Sequence, residues 1–442
     1  MTDPRVLVLP VLLSACVVSN PYDGDTFDSL TTTGSQGPTE TGSGDGDGDP
    51  ATGDGDGDPT GDGDGDPTGD GDGDMPGLGE TPNVLCEAAI VGLDAIVAET
   101  AGASFDAAAV EEAYVGTGLQ QFVQLAGSTT GRVADGVLID DAAILASIAA
   151  GEPLDLVDVE WRIYLAMHKF IRHEIADVSS TLPNPANDPA LLYARWDAAY
   201  CYWDGALRPW AQQADALGLG DTIEADIDAG FAWGHASVEG QEPWAIDEWE
   251  LPAAKQVVEK SSFAIFHRLI TSWSETAATL DEPMAAAVAA RSAYGAFQLI
   301  EDRMETKNTP GIQIVEDALM ADDPGTIDPA EILRQLNIAF VKRTRKYTDF
   351  ALPEVGGLMG TPEGYVGANE GATYSKLVEP YIAALDGFDQ AAYRDSWATY
   401  IEAVRADELA SAEAASAELT DWNCQLQDAL GIPACTSSID EQ

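Results

Sequence analysis

The chain of 442 residues carries 76 acidic and 21 basic side chains, a formal charge of −55 at neutral pH, and 45% hydrophobic residues. A field of that sign repels phosphate backbones and anionic headgroups, which excludes nucleic acid and disfavours adhesion of the protein surface to a membrane. No Gly-x-Gly-x-x-Gly, Walker loop, Gly-x-Ser-x-Gly or His-Glu-x-x-His occurs, so the familiar enzyme signatures are missing and a non-enzymatic role is expected.

Residues 1–15 read as an export signal. Val6 to Ala15 is apolar but too short to cross a bilayer. Leu13-Ser14-Ala15-Cys16 resembles the lipobox of bacterial lipoproteins. That resemblance implies cleavage before Cys16, acylation of its thiol, and an extracytoplasmic protein held to the cell envelope by lipid alone. Residues 16–83 follow as a tether. From Val17 to Asn83 there are 17 acidic residues and no basic one, and a Thr-Gly-Asp-Gly-Asp-Gly-Asp unit starts at Thr52, Thr60 and Thr68. Such a segment buries too little apolar surface to offset its ordering entropy, so a disordered linker is expected. Its 67 residues span on the order of 45 Å as a flexible chain. Alternating Asp is reminiscent of calcium loops, but the closing bidentate Glu and an apolar anchor are missing, which disfavours calcium here.

From Val84 the chain holds 58 acidic and 20 basic residues, still −38. Residues 84–437 are expected to form an all-α antiparallel helical bundle, with two packed halves at about 84–245 and 246–437. The apolar spacing of three and four predicts helices over about 86–100, 105–125, 138–150, 155–179, 187–217, 221–239, 250–279, 283–306, 328–348, 369–387 and 389–429. Breaks are expected at Pro183-Asn184-Pro185, Gly240 to Pro243, Asp322 to Gly325 and the glycine-rich Gly356 to Gly371. Asp221 to Glu224 has capping-box spacing. Cys86, Cys201, Cys424 and Cys435 are disulfide candidates in an oxidising compartment. Cys424 and Cys435 are spaced to close a short loop, or either pins the C-terminal end to Cys86, with Cys201 left as a buried thiol.

Several carboxylates and histidines sit beside apolar stripes. At 100° per residue, Trp196, Tyr200, Trp203, Leu207 and Trp210 share one face, flanked by Asp197, Cys201 and Asp204. Carboxylates against such an aromatic wall are partly desolvated, which a hard cation or an arginine relieves. The plainer reading pairs them with Arg195 or Arg208. His168 falls on the face of Trp161, Tyr164, Leu165, Ile171 and Ile175, and His267 beside Phe263 and Ile270; both fit core histidines. His235 and Glu239 are four apart, a metal-binding spacing if the helix continues. Glu301 and Glu305 share a face with Tyr294, Phe297 and Met304, and Glu370 is expected to open a helix. Lys342 to Lys346 gathers four basic residues, in keeping with a cationic last turn or an anion site.

Two of these segments carry a family resemblance. Trp196-Asp197, Tyr202-Trp203, Gly205 and Leu207, together with Glu370-Gly371, Tyr374 and Glu379-Pro380-Tyr381, resemble signatures of the algal iron-assimilating (low-iron-inducible) periplasmic proteins. The resemblance covers the helical region and implies an all-helical, extracytoplasmic protein of iron uptake. It marks Trp196, Asp197, Tyr202, Gly205, Glu370 and Gly371 as motif positions. The imelysin-type helical proteins are more distant, since their Gly-x-His-x-x-Glu motif does not occur. The expected function is a membrane-anchored lipoprotein that binds a metal ion, iron, in iron acquisition. Asp197 and Glu370 are the leading ligands, with His168, Asp204, Glu239 and Glu301 as additions. The alternatives are a helical module that contacts another envelope protein, and a helical carboxylate-dependent hydrolase or lyase.

Overall fold

The computed structural model describes residues 78–79, 83–100, 106–134, 136–181, 189–220, 222–238, 249–432 and 435. The expected signal peptide, Cys16, almost all of the tether, Asp221 and Glu239 lie outside the described residues.

Among the described residues the fold is all-α, apart from a hairpin in which Val133–Ala134 (β1) pairs antiparallel with Val137–Leu138 (β2). In chain order the helices before the centre are α1 (Val84–Thr100), α2 (Ala107–Gly116), α3 (Leu119–Thr129), α4 (Ile139–Ala150) and α5 (Pro153–Thr181). Next come α6 (Pro189–Tyr202), a π turn (Trp203–Leu207), α7 (Arg208–Ala216) and α8 (Ile223–Val238). The long α9 (Glu250–Thr279) is central. After it run α10 (Pro283–Phe297), α11 (Asp302–Glu305), α12 (Thr309–Leu319), α13 (Pro329–Thr348), α14 (Pro362–Ile382), α15 (Gln390–Arg405) and α16 (Leu409–Ala429).

α9 packs against α5, α7 and α8 from the preceding chain and against α10, α13 and α14 from the following chain. It is therefore buried almost all round, and its interior positions include charged Glu259, Lys260 and Arg268 as well as Phe263 and Phe266. The apolar core continues unbroken from α1 to α16. Trp161, Trp210 and Trp273 meet within it, with ring centroids 5.4 Å (Trp161–Trp210) and 5.0 Å (Trp210–Trp273) apart. Asp106, Asp328 and Asp389 cap α2, α13 and α15 by accepting first-turn backbone N–H groups, each cap contributing about 1 kcal/mol.

Several expected boundaries move, for identifiable reasons. The helix predicted over 105–125 divides at Gly118, whose φ of 110° is left-handed. The one predicted over 389–429 divides at Asp407, with φ of 57°; aspartate tolerates that region better than most residues, so no glycine announced the break. The helix predicted over 283–306 ends at Phe297, and Glu301 and Glu305 do not continue its face. α12 was not anticipated.

The largest correction concerns Gly356 to Gly371. Its second half is helix, because α14 begins at Pro362 with Thr361 Oγ1 capping Gly364 N at 3.1 Å. Glu370 thus sits mid-helix and not in an opening turn. The glycines there serve close packing. A Cβ at Gly371 would lie 2.4 Å from Tyr347 Cβ, and one at Gly367 would lie 2.7 Å from the Phe350 ring. α14 can approach α13 only because those positions lack a side chain.

Cys201 is not a free thiol. It bonds to Cys86, joining α1 to α6, while Cys424 bonds to Cys435.

Candidate functional site

The interior is far less acidic than the chain as a whole. Among the described residues, eight of the 21 basic side chains are buried, against seven of the 76 acidic ones. Burying a charge costs several kcal/mol unless it is paired, so these groups are expected to assemble. One assembly lies where α9 meets α5, α13 and α14.

Lys260 is at its centre. Its Nζ lies 3.2 Å from Glu259 Oε2 and 3.2 Å from Glu370 Oε1, with 1% of its side chain exposed. Arg172 on α5 donates from Nε to Glu259 Oε1 at 2.7 Å, and Lys255 Nζ is 2.9 Å from Glu259 Oε2. On the other side Tyr347 of α13 stands close enough to Glu370 for the carboxylate charge, after burial, to raise its phenol. Tyr374 lies one helical turn after Glu370 and on the same face. Its ring centroid is 5.5 Å from Lys260 Nζ, and it is fully buried with no hydrogen-bond partner at its hydroxyl. Phe263, Tyr374 and Tyr347 form a stacked column with centroids 6.2 and 6.3 Å apart. Further cations surround the column: Arg303 is 5.3 Å from the Phe263 centroid, Arg343 is 5.9 Å from that of Tyr374, and Lys346 is 5.3 Å from that of Tyr347.

The electrostatics follow from this enclosure. Burial pushes the Glu370 carboxyl up, but Lys260 and Lys255 outweigh it and hold the group below the ordinary carboxylate range. Glu259 is held well below that range, because Arg172, Lys255 and Lys260 together overcome its burial. Burial lowers Lys260, yet Glu259 and Glu370 push it above an ordinary lysine. Burial and the Glu370 charge raise the Tyr347 phenol. The resting cluster is therefore an ammonium between two carboxylates, beside the protonated phenol of Tyr347 and the ring of Tyr374. It meets solvent at Glu370 and Lys255, whose side chains keep 12% and 21% exposure.

Of the ligands expected from sequence that lie among the described residues, Glu370 alone joins this cluster. Asp197 is buried and accepts the Gly79 backbone N–H at 3.0 Å, fastening the end of the tether to α6. Asp204 is exposed and pairs with Arg208, Nε to Oδ1 2.7 Å. Asp197 is thus buried in α6, whereas Asp204, in the π turn, is exposed, and the two do not share one site. His168 is fully buried against Phe263 and Phe266, and burial followed by Arg172 and Lys169 keeps it neutral. Glu301 lies in the turn between α10 and α11. The first motif does packing work: Trp196 donates to Phe231 O at 3.0 Å against Gly234, Tyr202 lies 4.4 Å from the Phe122 ring, and Gly205 abuts Ile90. Among the described residues, no group of three or more His, Cys, Asp or Glu side chains is placed to hold a metal ion.

Sequence reasoning missed Arg172, Glu259, Lys260 and the part played by Tyr347 and Tyr374. The available signals were Glu259-Lys260 inside the apolar stretch of α9 and the basic run at Lys342 to Lys346, most of which turns inward.

Fold and site together define a helical domain with a buried carboxylate–ammonium–phenol cluster. Compared with known proteins, the chain matches no family model, no curated protein and no solved structure.

Proposed function

We propose that this chain is an extracytoplasmic, lipid-anchored binding protein that takes up a metal ion, ferric iron, at the Glu370 cluster in iron acquisition. The reading is carried by one observation: Glu370 stands with two phenols, Tyr347 and Tyr374, and the buried Tyr374 hydroxyl has no hydrogen-bond partner. Ferric iron is a hard cation that favours carboxylate and phenolate oxygen. Glu259 supplies a second carboxylate from α9. Binding requires the phenol protons to leave, so uptake is coupled to proton release.

Leu13-Ser14-Ala15-Cys16 supports the location, as do two disulfides of a kind that persist outside the reducing cytosol. The resemblance of Glu370-Gly371 and Tyr374 to the algal iron-assimilating signature points the same way. The acidic surface would raise the local concentration of cations, and the tether would hold the domain off the membrane.

Titrating the mature chain with ferric nitrilotriacetate while recording the visible spectrum tests the reading. A tyrosinate-to-iron charge-transfer band should appear, and Tyr374→Phe and Glu370→Gln should weaken binding. A chain that binds no iron at micromolar affinity would sink the proposal.

A second reading, docking onto another envelope protein, draws on exposed apolar side chains of the N-terminal helices and hairpin, including Val91, Val115, Val133, Val137 and Ile139. Capture of one defined envelope partner, lost when Val91 and Val115 become serine, would favour it.

A further inference from the structure

The tether enters the domain at a fixed point. Leu78 packs against the core, and the Gly79 backbone N–H donates to the Asp197 carboxylate at 3.0 Å. Gly79 holds a φ of 77°, and a Cβ there would lie 2.9 Å from the Tyr200 ring. Only glycine enters this seat without strain. The Asp197 carboxylate is set into the wall of α6, with the residue 1% exposed. An N–H brought to it makes a charge-assisted bond, roughly twice as strong as a neutral one. One turn further along α6, Cys201 is bonded to Cys86 in the first turn of α1. The incoming chain is therefore joined to one helix twice in succession, by a breakable contact at Gly79 and then by a covalent one at Cys86.

We propose that Asp197 and Cys201 form a two-stage clasp that takes up the load of the membrane tether. The inference goes beyond the metal site and rests only on the lipid-anchor part of the proposed function. Tension on the tether reaches Gly79 first. Its bond to Asp197 breaks and re-forms, which releases at most residues 80–86, about 24 Å of extended chain. At Cys86 the load crosses the disulfide into α6, beside the helical turn that carries Asp197. The rest of α1, together with α2 to α5 and most of α6, lies in the loop that this bond closes. That loop carries no end-to-end pull, so α1 is spared from unwinding past its first turn. A covalent stop suits this place, because chain ends and terminal helical turns open locally at little cost.

The test digests the mature chain and its Gly79→Ala and Asp197→Asn variants with glutamyl endopeptidase under native conditions, following the bond after Glu80 by mass spectrometry. Circular dichroism establishes that each variant is folded, and Gly79→Ala unseats the tether while leaving Asp197 intact. Cleavage after Glu80 is expected to be about tenfold or more faster in both variants. Equal rates in the native chain and the variants overturn the clasp. Pulling the mature chain between handles at its two ends tests the stop. The native chain should release about 400 Å less length on unfolding than the Cys86→Ser, Cys201→Ser double variant, the extended span of the closed loop. Equal lengths overturn the load path. An unacylated Cys16 in chain extracted from the membrane overturns the anchor reading and the load role together, while the cleavage rates still report on the clasp.

Discussion

Lys260 and Glu370, separated by 110 positions in sequence, meet at 3.2 Å in the interior. The contact joins the central helix α9 to α14, and α14 reaches it through the close approach that Gly371 permits against Tyr347 and Trp397. Fold and site are thus coupled at one place: the glycine that sets the helix spacing is the immediate neighbour of the carboxylate that closes the ion pair.

Gly371→Ala is expected to destabilise the protein. Alanine improves helix propensity by about 1 kcal/mol, but its Cβ would stand 2.4 Å from Tyr347 Cβ and 2.8 Å from the Trp397 ring. Overpacking of this kind costs about 1–3 kcal/mol, so urea unfolding should report a net loss and a displaced Tyr347. A stabilised variant would refute the close-packing account.

The Arg172–Glu259 pair is buried on both sides, each side chain 2% exposed. Glu259→Gln removes the carboxylate that Arg172, Lys255 and Lys260 share and should cost about 3–5 kcal/mol, whereas Arg172→Met should cost less because Lys255 and Lys260 still compensate Glu259. The double variant should cost clearly less than the sum, with a coupling of about 1–3 kcal/mol. Additive losses in a double-mutant cycle would mean that the two groups do not compensate one another.

Stability should fall on mild acidification. His267 accepts or donates a hydrogen bond with Asn337 at 2.9 Å, and burial pushes it down from 6.5 to about 4. The unfolded chain therefore binds this proton first. Its contribution is full above pH 6.5 and is lost as the pH falls towards 4, on the order of 3 kcal/mol in all. His168, also lowered by burial, acts in the same direction. Glu259 and Glu370 are held low and stay charged through this window, so their loss follows at lower pH. Urea midpoints measured from pH 7 to pH 4 should drop, and His267→Gln should flatten the slope.

The Cys86–Cys201 bond spans 115 positions. A loop of that size restricts the unfolded chain by about 4–5 kcal/mol in the chain-entropy account. Replacing both cysteines by serine should lower the thermal midpoint clearly, whereas the same change at Cys424 and Cys435, 11 positions apart, should cost less. Equal losses at the two sites would contradict the loop-length argument.

The all-α class was legible because apolar spacing and alanine-rich composition act locally. Both ends of α9 were equally plain. The ends of α14 were not, since glycines that pack against Phe350 and Tyr347 look like loop glycines until the neighbouring helix is known. Glu370 was singled out on motif resemblance and for an expected opening turn that it does not occupy. Its partners were invisible for a physical reason: Arg172, Glu259 and Lys260 read as ordinary charged helix residues, and only tertiary packing turns them inward together. The π turn at Trp203–Leu207 carries no signal in the apolar spacing, and Asp197 and Asp204 take separate partners, Gly79 and Arg208, that the sequence does not bring together.

The account rests most directly on whether iron meets the phenols beside Glu370. Ferric titration of the mature chain, followed by visible absorbance, should give one equivalent bound at micromolar affinity or tighter and a charge-transfer band. The band should vanish in the Tyr347→Phe, Tyr374→Phe double variant. A colourless complex, or binding unchanged by that double variant and by Glu370→Gln, would contradict it.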